Sequence, residues 1–586
     1  MRTYVHAGPA PLYRTFIPNL GHLFSDTTSY MGHCKSLGDY RADCPVEQNF
    51  RRLVLRATEA VVERLADWRF DAPSFSLCVV ITLGSHALGR TFDRRAIPKA
   101  PGIPKVDMGG HKSFNALFRE SASVTPYDTV YYFDQLIDHD DPSKGMFKQR
   151  YWHSAEFYKE GGPIILMNAG EVDASNYYSY VTDSTINGVV AQKFGGAAIV
   201  LEHRFLGQSN PYPNLNVDSL KYMTVAQTIE DHLYFAQNVV LPQDNGDSVG
   251  PDKAPWILIG GSYPGGLASR RILDRLCVIG SCASTAVRLA LSSIILELTY
   301  IHSDFWQYFE PIRENMPKNC SADVEAVITY IDEVFFGTDT EAQMKIRNLF
   351  GFNSTNLALA EALRWDLWSW QELQPSTGPW SSFYRFCDAL EVKNGVSAPE
   401  GGWGVENALS AWAQWLTPTN GTVNATDASR QPPTPAINPK ELEARADHPV
   451  GNTYRSWLWL KDGPPIGQGG IVSRLNTVES DLRLCVVEFP DAFPTIPHPD
   501  GDRINALYGG WGVKNKRLFF ANGKQATVSA VNSTAVSTED QPIGLSNGFH
   551  CTDLVMALAA PDPTVVAVQD LFLEYVEKWL KDFVAN

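Results

Sequence analysis

The sequence predicts an α/β fold, in which helices cover both faces of a mostly parallel sheet and a separate helical region is inserted into it. Three observations lead to this prediction. Short apolar runs alternate with helical patterns over the first half of the chain, as is typical of parallel sheets. Between about residues 300 and 415 helical periodicity replaces the strands. One apolar run, 255–259, ends in a glycine-flanked serine, as a strand leading into a tight turn does.

The individual elements follow from this alternation in chain order. Strands are predicted at 130–133, 150–152, 163–167 and 197–201, and helices at 177–194 and 224–240. The inserted region carries helical patterns at 322–336 and 340–349, and a Pro/Thr/Asn-rich stretch at 417–440 predicts a loop. A last strand is predicted at 517–521, and a C-terminal helix that packs on the sheet is predicted at 564–583.

The turn after the strand at 255–259 reads Gly260-Gly261-Ser262-Tyr263-Pro264-Gly265. A nucleophile elbow holds its serine in a strained conformation above the sheet, so it needs small neighbours on both sides. Pro264 stands where the commonest form of the motif has its second glycine. Ser262 is therefore the candidate nucleophile of an α/β-hydrolase fold.

A candidate base follows near the C-terminus, where Gly548-Phe549-His550-Cys551 opens an amphipathic segment. In α/β hydrolases the nucleophile precedes the acid and the histidine in the chain, and His550 fits that order. The chain has 13 histidines, and most histidines in proteins are structural, so this assignment depends on His550 meeting Ser262.

Length and charge restrict the classes of function. A chain of 586 residues is long enough for a catalytic domain and an inserted domain. A net charge of −16 without a basic stripe argues against nucleic acid as a partner. We find neither the spacing of zinc ligands nor a phosphate-binding glycine loop, so we expect no metal and no organic cofactor.

Five glycosylation motifs favour the secretory route: Asn319, Asn353, Asn420, Asn424 and Asn532. Nine cysteines agree with this route. Cys277 and Cys282 are too close together to define a disulfide framework, and an odd number of cysteines leaves at least one thiol without a disulfide partner.

The segment 72–89 resembles a signal peptide, with an apolar core that ends in Ala-Leu-Gly. It is too short to span a bilayer comfortably, so no stable membrane anchor is expected. Residues 1–71 precede it as an extension. Either this extension is genuine and the apolar run is a buried strand, or the extension is spurious and the true start lies downstream.

Five further motifs lie at 133–139, 147–152, 161–164, 202–207 and 305–309, and the histidine motif at 548–551 follows them in the chain. With these motifs the chain resembles the family of prolyl carboxypeptidase and dipeptidyl peptidase II, especially its secreted fungal post-proline peptidases. The resemblance covers roughly residues 120–586. It implies a hydrolase core at 120–299 and 481–586, with a helical cap and its loops at 300–480.

The resemblance implies a serine peptidase, secreted or vacuolar–lysosomal, that cleaves peptide or protein substrates after proline. Ser262 would attack the carbonyl, and His550 would take its proton and return it to the leaving amine. The oxyanion would meet the N–H of Tyr263 and one from the loop containing Ala169 and Gly170.

Two glutamates are candidates for contacting substrate. They are Glu171 and Glu202. Glu202 could instead be the ion-pair partner of Arg204 in the core, and we expect His203 between them to be structural.

The chain departs from the family where the triad acid is expected. Relatives carry an Asp-Pro-Trp after the last Asn-Gly, whereas here Asn522-Gly523 runs directly into Lys524-Gln525. Loss of the acid costs about ten-thousand-fold in turnover. Three later carboxylates are candidate substitutes: Asp553, Glu539 and Asp540.

Two further departures lie at 270–298, which resembles nothing in the family, and after Trp459, where a segment is omitted. Imperfectly placed exon boundaries and a degenerate, inactive paralogue both explain this pattern. Beside an impaired peptidase, the sequence therefore leaves two alternatives open: a secreted binding glycoprotein that retains the fold, and an esterase or lipase on the same scaffold.

Overall fold

The structure is a computed structural model that describes residues 103–106, 125–268, 309–352, 355–417, 470–477, 485–486, 489–497, 514–526 and 537–585, and the backbone of the strand at 278–284. All of them belong to one compact unit, 94–586. The predicted extension, the signal-peptide-like segment and the glycosylation motifs at Asn353, Asn420, Asn424 and Asn532 lie outside the described residues.

The described strands form an eight-stranded mixed sheet and one small hairpin. In chain order they are β1 (Tyr131–Leu136), β2 (Met146–Ser154), β3 (Ile164–Asn168), β4 (Ala197–Leu201), β5 (Trp256–Gly261), β6 (Val278–Ser284), the hairpin β7 (Val392–Lys393) and β8 (Val396–Ser397), β9 (Leu518–Gly523) and β10 (Ile543–Ser546). The spatial order is β1-β2-β4-β3-β5-β6-β9-β10. Within the eight-stranded sheet β2 runs antiparallel to its neighbours β1 and β4, and the other described pairs are parallel.

The described helices are α1 (Ile186–Phe194), α2 (Val217–Leu220), α3 (Val225–Asn238), α4 (Tyr263–Ala268), α5 (Glu310–Asn315), α6 (Lys318–Phe335), α7 (Thr340–Leu349), α8 (Asn356–Trp368), α9 (Ser382–Glu391), α10 (Val405–Leu416), α11 (Met556–Ala559) and α12 (Pro563–Lys581). Short 3-10 turns lie at Pro142–Lys144, Ala174–Asn176, Tyr178–Val181, Ser369–Glu372 and Thr552–Leu554.

Side chains of the central strands alternate between two apolar layers. Ile164 and Leu166 of β3 join the core that contains α3, whereas Ile165 and Met167 join the core that contains α1 and α12. Because both faces are covered, all five residues of β3 are buried. The parallel strands thus end together at one edge of the sheet, and this edge carries the loops that follow β3, β5, β9 and β10.

Helices α5 to α10 build a third core of their own. A disulfide between Cys320 and Cys387 joins α6 to α9. Residues 470–477 also belong to this region, because Ser473 and Arg474 both bind the buried carboxylate of Asp332 on α6. Phe549, beside the candidate base, packs in the same core, so the helical region reaches the active-site edge of the sheet.

The predicted fold class is confirmed: the chain is an α/β hydrolase with a largely parallel sheet. The strand predicted at 197–201 and the helix predicted at 340–349 agree with the structure in both ends. The helix predicted at 177–194 is instead a 3-10 turn followed by α1, because the Thr185 hydroxyl donates to the backbone oxygens of Tyr180 and Thr182 and turns the chain between them. The proposed domain boundaries stay predictions.

Candidate active site

Ser262 lies in a strained turn between β5 and α4. Its φ is +57°, in the left-handed region that residues with a Cβ rarely adopt. The side chain is 2 % exposed, and the backbone oxygen of Ser262 accepts from the N–H of Gly265 at 3.0 Å. The sequence prediction of a strand–serine–helix turn therefore agrees with the observed backbone.

Close approach explains the glycines before the serine. A Cβ on Gly260 would lie 2.2 Å from the backbone oxygen of Pro264, and one on Gly261 would lie 2.5 Å from a methyl carbon of Leu554. Neither position has room for a side chain. Pro264, the departure from the commonest motif, is tolerated because it lies in the first helical turn, where a missing N–H costs little, and because it faces Gly170.

His550 reaches the serine from the loop after β10. Its Nε2 lies 3.1 Å from Ser262 Oγ, and its ring is 4 % exposed. Burial lowers the pKa of His550 to about 4. The imidazole is therefore neutral above that pH, which is the form that can take a proton. The thiol of Cys551 lies 3.8 Å from the same nitrogen.

Within the described residues no carboxylate acts on the other nitrogen of His550. A carboxylate at Nδ1 would raise the pKa of the histidine, whereas burial is the cause of its lowered value. Glu539, one candidate substitute, is exposed and paired with Lys578. Asp540 is also exposed. Asp553 is buried but does not raise the pKa of His550.

The loop after β9 nevertheless lies where an acid would be useful. A Cβ on Gly523 would lie 2.1 Å from the backbone oxygen of Gly548, and the N–H of Gln525 donates to that same oxygen at 3.2 Å. The loop after β9, which contains Lys524 and Gln525, is thus in contact with the loop that carries His550.

The N–H groups of the predicted oxyanion donors Ala169 and Gly170 are hydrogen-bonded in this structure, so their role stays a prediction. The N–H of Ala169 donates to Leu201 at 3.1 Å, and that of Gly170 donates to the side chain of Asn168 at 2.8 Å. The first bond joins this loop to the end of β4, and the second lies within the loop. A Cβ on Gly170 would lie 2.9 Å from the Pro264 ring, so this loop packs directly against the elbow. We conclude that it supports the elbow.

Two buried histidines hold these backbone segments in place. His232 receives a hydrogen bond from the Asn168 amide at 3.0 Å, because its other nitrogen donates to a backbone oxygen. His203 Nδ1 likewise donates to the Arg204 oxygen, so its Nε2 accepts from the hydroxyl of Tyr263 at 3.0 Å. Burial lowers both pKa values to about 4, and both rings are neutral. His203 therefore has the predicted structural role and anchors the residue after the nucleophile.

Glu202, a predicted substrate contact, is part of the core. It is fully buried, and both of its oxygens bind the guanidinium of Arg150. Ser209 donates to it from its N–H and its hydroxyl. Its partner is therefore Arg150 instead of the expected Arg204, which pairs with Asp231. With every acceptor position used, Glu202 has no capacity to bind a substrate.

Glu171 is buried at the end of the loop after β3 and is 4 % exposed. Burial raises its pKa to about 8. The carboxyl group is thus neutral in acid, and its role as a substrate contact stays a prediction.

Comparison with known proteins agrees with this geometry. Residues 135–368 match the family described as serine carboxypeptidase S28. Serine protease vicPb of Bipolaris victoriae is 30 % identical over 77 % of this chain and 89 % of its own length. The chain belongs to the S28 family of serine peptidases. As a member of this family it is a serine-type hydrolase.

A second relative is the probable extracellular serine carboxypeptidase of Arthroderma benhamiae, which is 25 % identical over 80 % of this chain and 68 % of its own length. Among solved structures, an acetylester hydrolase from Corynebacterium glutamicum aligns with 77 % of this chain and 95 % of its own, with 10 % identity and a TM-score of 0.32.

The described residues contain no cluster of three or more histidine, cysteine or acidic side chains arranged to bind a metal ion. Among the helices that the structure describes, none is both long and apolar enough to cross a bilayer.

Proposed function

We propose that this chain is a secreted peptidase that cleaves after proline, with Ser262 as nucleophile and His550 as base. The contact of 3.1 Å between His550 Nε2 and Ser262 Oγ, on a strained elbow, carries the proposal. The preference for proline is supported by the ordered motifs that resemble prolyl carboxypeptidase. Substrates would be peptides or proteins that contain proline.

The reaction would proceed through an acyl-enzyme. Ser262 Oγ attacks the carbonyl carbon as His550 Nε2 removes the hydroxyl proton. The oxyanion of the tetrahedral intermediate accepts a hydrogen bond from the backbone N–H of Tyr263. The C–N bond then breaks, and Nε2 gives its proton to the leaving amine. Water attacks the ester in the same way and restores Ser262.

The described site lacks a carboxylate at His550 Nδ1, and this limits the expected rate. Nε2 must be free of hydrogen to take the serine proton, so Nδ1 carries it and needs an acceptor to orient the ring. Without the acid we expect turnover lower by about ten-thousand-fold, or roughly 5–6 kcal/mol of barrier.

A fluorophosphonate probe tests the nucleophile directly. We expect it to label Ser262, and we expect Ser262→Ala to abolish labelling while Ser410→Ala, at an exposed serine of α10, leaves it unchanged. Labelling that survives Ser262→Ala would contradict the assignment. Paired peptides that differ only in proline or alanine before the scissile bond then test the specificity, with product masses identifying the bond that is cleaved.

A non-catalytic binding glycoprotein is the second candidate function. The lack of a carboxylate on His550 among the described residues favours it. It predicts a folded protein that does not react with the probe even after prolonged incubation.

Secretion is supported by two features besides the description of the Arthroderma relative as extracellular. A disulfide joins Cys320 to Cys387, as is usual in oxidising compartments. Asn319, the glycosylation motif within the described residues, lies partly exposed at the start of α6. We expect enzymatic deglycosylation to reduce the apparent mass of the secreted protein, and Asn319→Gln to remove one of these glycans.

A further inference from the structure

The helical region contacts both loops of the catalytic edge through one short segment. The 3-10 turn Ser369–Glu372 places the ring of Trp370 5.4 Å from that of Phe549. The Trp370 indole N–H donates to the backbone oxygen of Gln525 at 2.7 Å. The loop where relatives carry the acid and the loop that carries His550 are thus both tied to this segment.

Gln374 follows two residues after the turn and uses both ends of its amide on the histidine loop. Its Nε2 donates to the backbone oxygen of His550 at 3.1 Å. Its Oε1 accepts from the hydroxyl of Thr552 at 2.7 Å. That hydroxyl in turn accepts from the N–H of Phe549 at 2.9 Å. One amide therefore fixes the backbone on both sides of the histidine.

His550 depends on its backbone for orientation. Among the described residues its ring contacts the serine hydroxyl and the neighbouring thiol at Nε2, and no carboxylate holds Nδ1. The next residue, Cys551, has a φ of +56°, a conformation that residues with a Cβ adopt only when their surroundings impose it. A loop under such strain needs external contacts, and Gln374 supplies two.

We propose that Gln374 is a positioning residue, which holds His550 within hydrogen-bonding distance of Ser262 and makes the base dependent on the helical region. The proposal rests on the proposed function, because it assigns Gln374 a role through the Ser262–His550 pair. The hydrogen bonds of its amide supply the restraint on the loop that an acid would otherwise supply on the ring.

The test compares three variants of the full chain by their rate of fluorophosphonate labelling. Gln374→Leu keeps the size but removes both hydrogen bonds, and we expect labelling to slow by about ten- to a hundredfold, as displacement of a catalytic group does. Gln371→Leu is the matched control. Gln371 lies in the same segment, 4 % exposed, and its amide atoms have no hydrogen-bond partner among the described residues. We expect this variant to label at the rate of the unmodified chain.

Gln374→Glu separates positioning from a general effect on folding. A protonated glutamic acid can donate to the His550 oxygen and accept from Thr552, whereas a carboxylate can only accept. We therefore expect the rate of this variant, relative to that of the unmodified chain at the same pH, to rise as the pH falls from 7 towards about 4.3, where roughly half of an ordinary glutamic acid is protonated, and to approach the relative rate of Gln374→Leu at pH 7. A purely structural role would not give this return of reactivity in acid.

The outcomes distinguish this proposal from the proposed function. If the unmodified chain labels and Gln374→Leu labels equally fast, the proposal is wrong and the function stands. If the unmodified chain does not label, the proposed function fails, and hydrogen exchange of residues 549–552 decides about Gln374. Faster exchange in Gln374→Leu but not in Gln371→Leu supports the restraint, and equal exchange in all three proteins refutes it.

Discussion

At the scale of single residues, burial decides the protonation states of the catalytic edge. His550 has a pKa lowered to about 4, and Glu171 one raised to about 8, both through loss of water. Between these values both groups are neutral. A neutral histidine can act as a base, so we expect His550 to be able to take a proton in weak acid.

The pH dependence of labelling follows from His550. Its pKa is lowered, so the reactive neutral form is fully populated well above pH 4 and is lost as the pH falls through about 4. We expect the rate at which the probe labels Ser262 to be half-maximal near pH 4 and level from about 5.5 to 7. A midpoint near 6.5, the ordinary value for histidine, would mean that the ring is exposed to water.

The space around Gly261 gives a second prediction at this scale. An added Cβ would meet a methyl group of Leu554 and, at 2.9 Å, the thiol of Cys551. Since Cys551 follows the base, we expect Gly261→Ala to displace the histidine loop, to lower stability by about 1–3 kcal/mol and to slow labelling. Gly378→Ala is the control, because nothing lies within 4 Å of its added Cβ. Labelling and urea unfolding of both variants measure the difference.

At the scale of elements, a buried pair of acids connects α6 to α9. Glu391, at the end of α9, is 2 % exposed. Its pKa is raised to about 8 by burial and further by the charge of Asp323 on α6. Asp323 accepts hydrogen bonds from the backbone N–H groups of Trp403 and Gly404, both at 2.8 Å, and so binds the loop before α10. Protonated Glu391 is therefore the form that suits the folded state.

The raised pKa of Glu391 makes stability depend on pH. The stabilisation that protonated Glu391 gives to the folded state is fully present below about pH 4.5 and is lost as the pH rises through about 8. We expect Glu391→Gln, which stays neutral, to gain stability relative to the unmodified chain as the pH rises, by a few kcal/mol at pH 8 at about 1.4 kcal/mol per pKa unit.

This comparison must be made as a difference between the two proteins at each pH. Buried histidines such as His203 destabilise the fold in acid, because the unfolded chain binds their protons more readily. Glu171 contributes in the same window as Glu391. Urea unfolding at pH 4.5, 6 and 8 measures the difference. A difference that is constant with pH would show that Glu391 is not buried as an acid.

At the scale of the whole molecule, four segments distant in sequence meet at one edge of the sheet. The elbow, the loop after β3, the histidine loop and the segment around Gln374 come from three different cores. The loop after β9 completes this edge and contacts Gly548. The loop after β9 and the histidine loop are thus in direct contact at this edge.

Restoring the acid is the prediction for the whole molecule. Insertion of Asp-Pro-Trp after Gly523 would place a carboxylate in the loop that already contacts the histidine loop. We expect turnover of a post-proline substrate to rise by up to about ten-thousand-fold and the pKa of His550 to rise with it. Insertion of Asn-Pro-Trp is the control with the same length and no charge. Equal activity of the two insertions would mean that loop length, and not the carboxylate, limits the reaction.

Local pattern predicted β4 and α7 with both of their ends, but it missed the break between the 3-10 turn Tyr178–Val181 and α1. The elbow could be predicted because close approach at Gly260 and Gly261 excludes side chains, which leaves a signature in consecutive residues. The sequence does not show that the N–H groups of Ala169 and Gly170 are bonded to Leu201 and Asn168, and their role as oxyanion donors stays a prediction. Glu202 pairs with Arg150, 52 residues away, which no local pattern indicates.

The sequence by itself determined the α/β-hydrolase class, the strand–serine–helix turn and the order of Ser262 and His550, since each depends on periodicity or on neighbours in the chain. Only the tertiary structure decided that these two side chains meet, that His203 supports Tyr263, that Cys320 joins Cys387, and that Gln374 binds the histidine loop. These contacts join residues between 60 and 288 positions apart. Distances over such separations are set by how the elements pack, and a hydrogen bond or a disulfide forms only where packing brings its two atoms together.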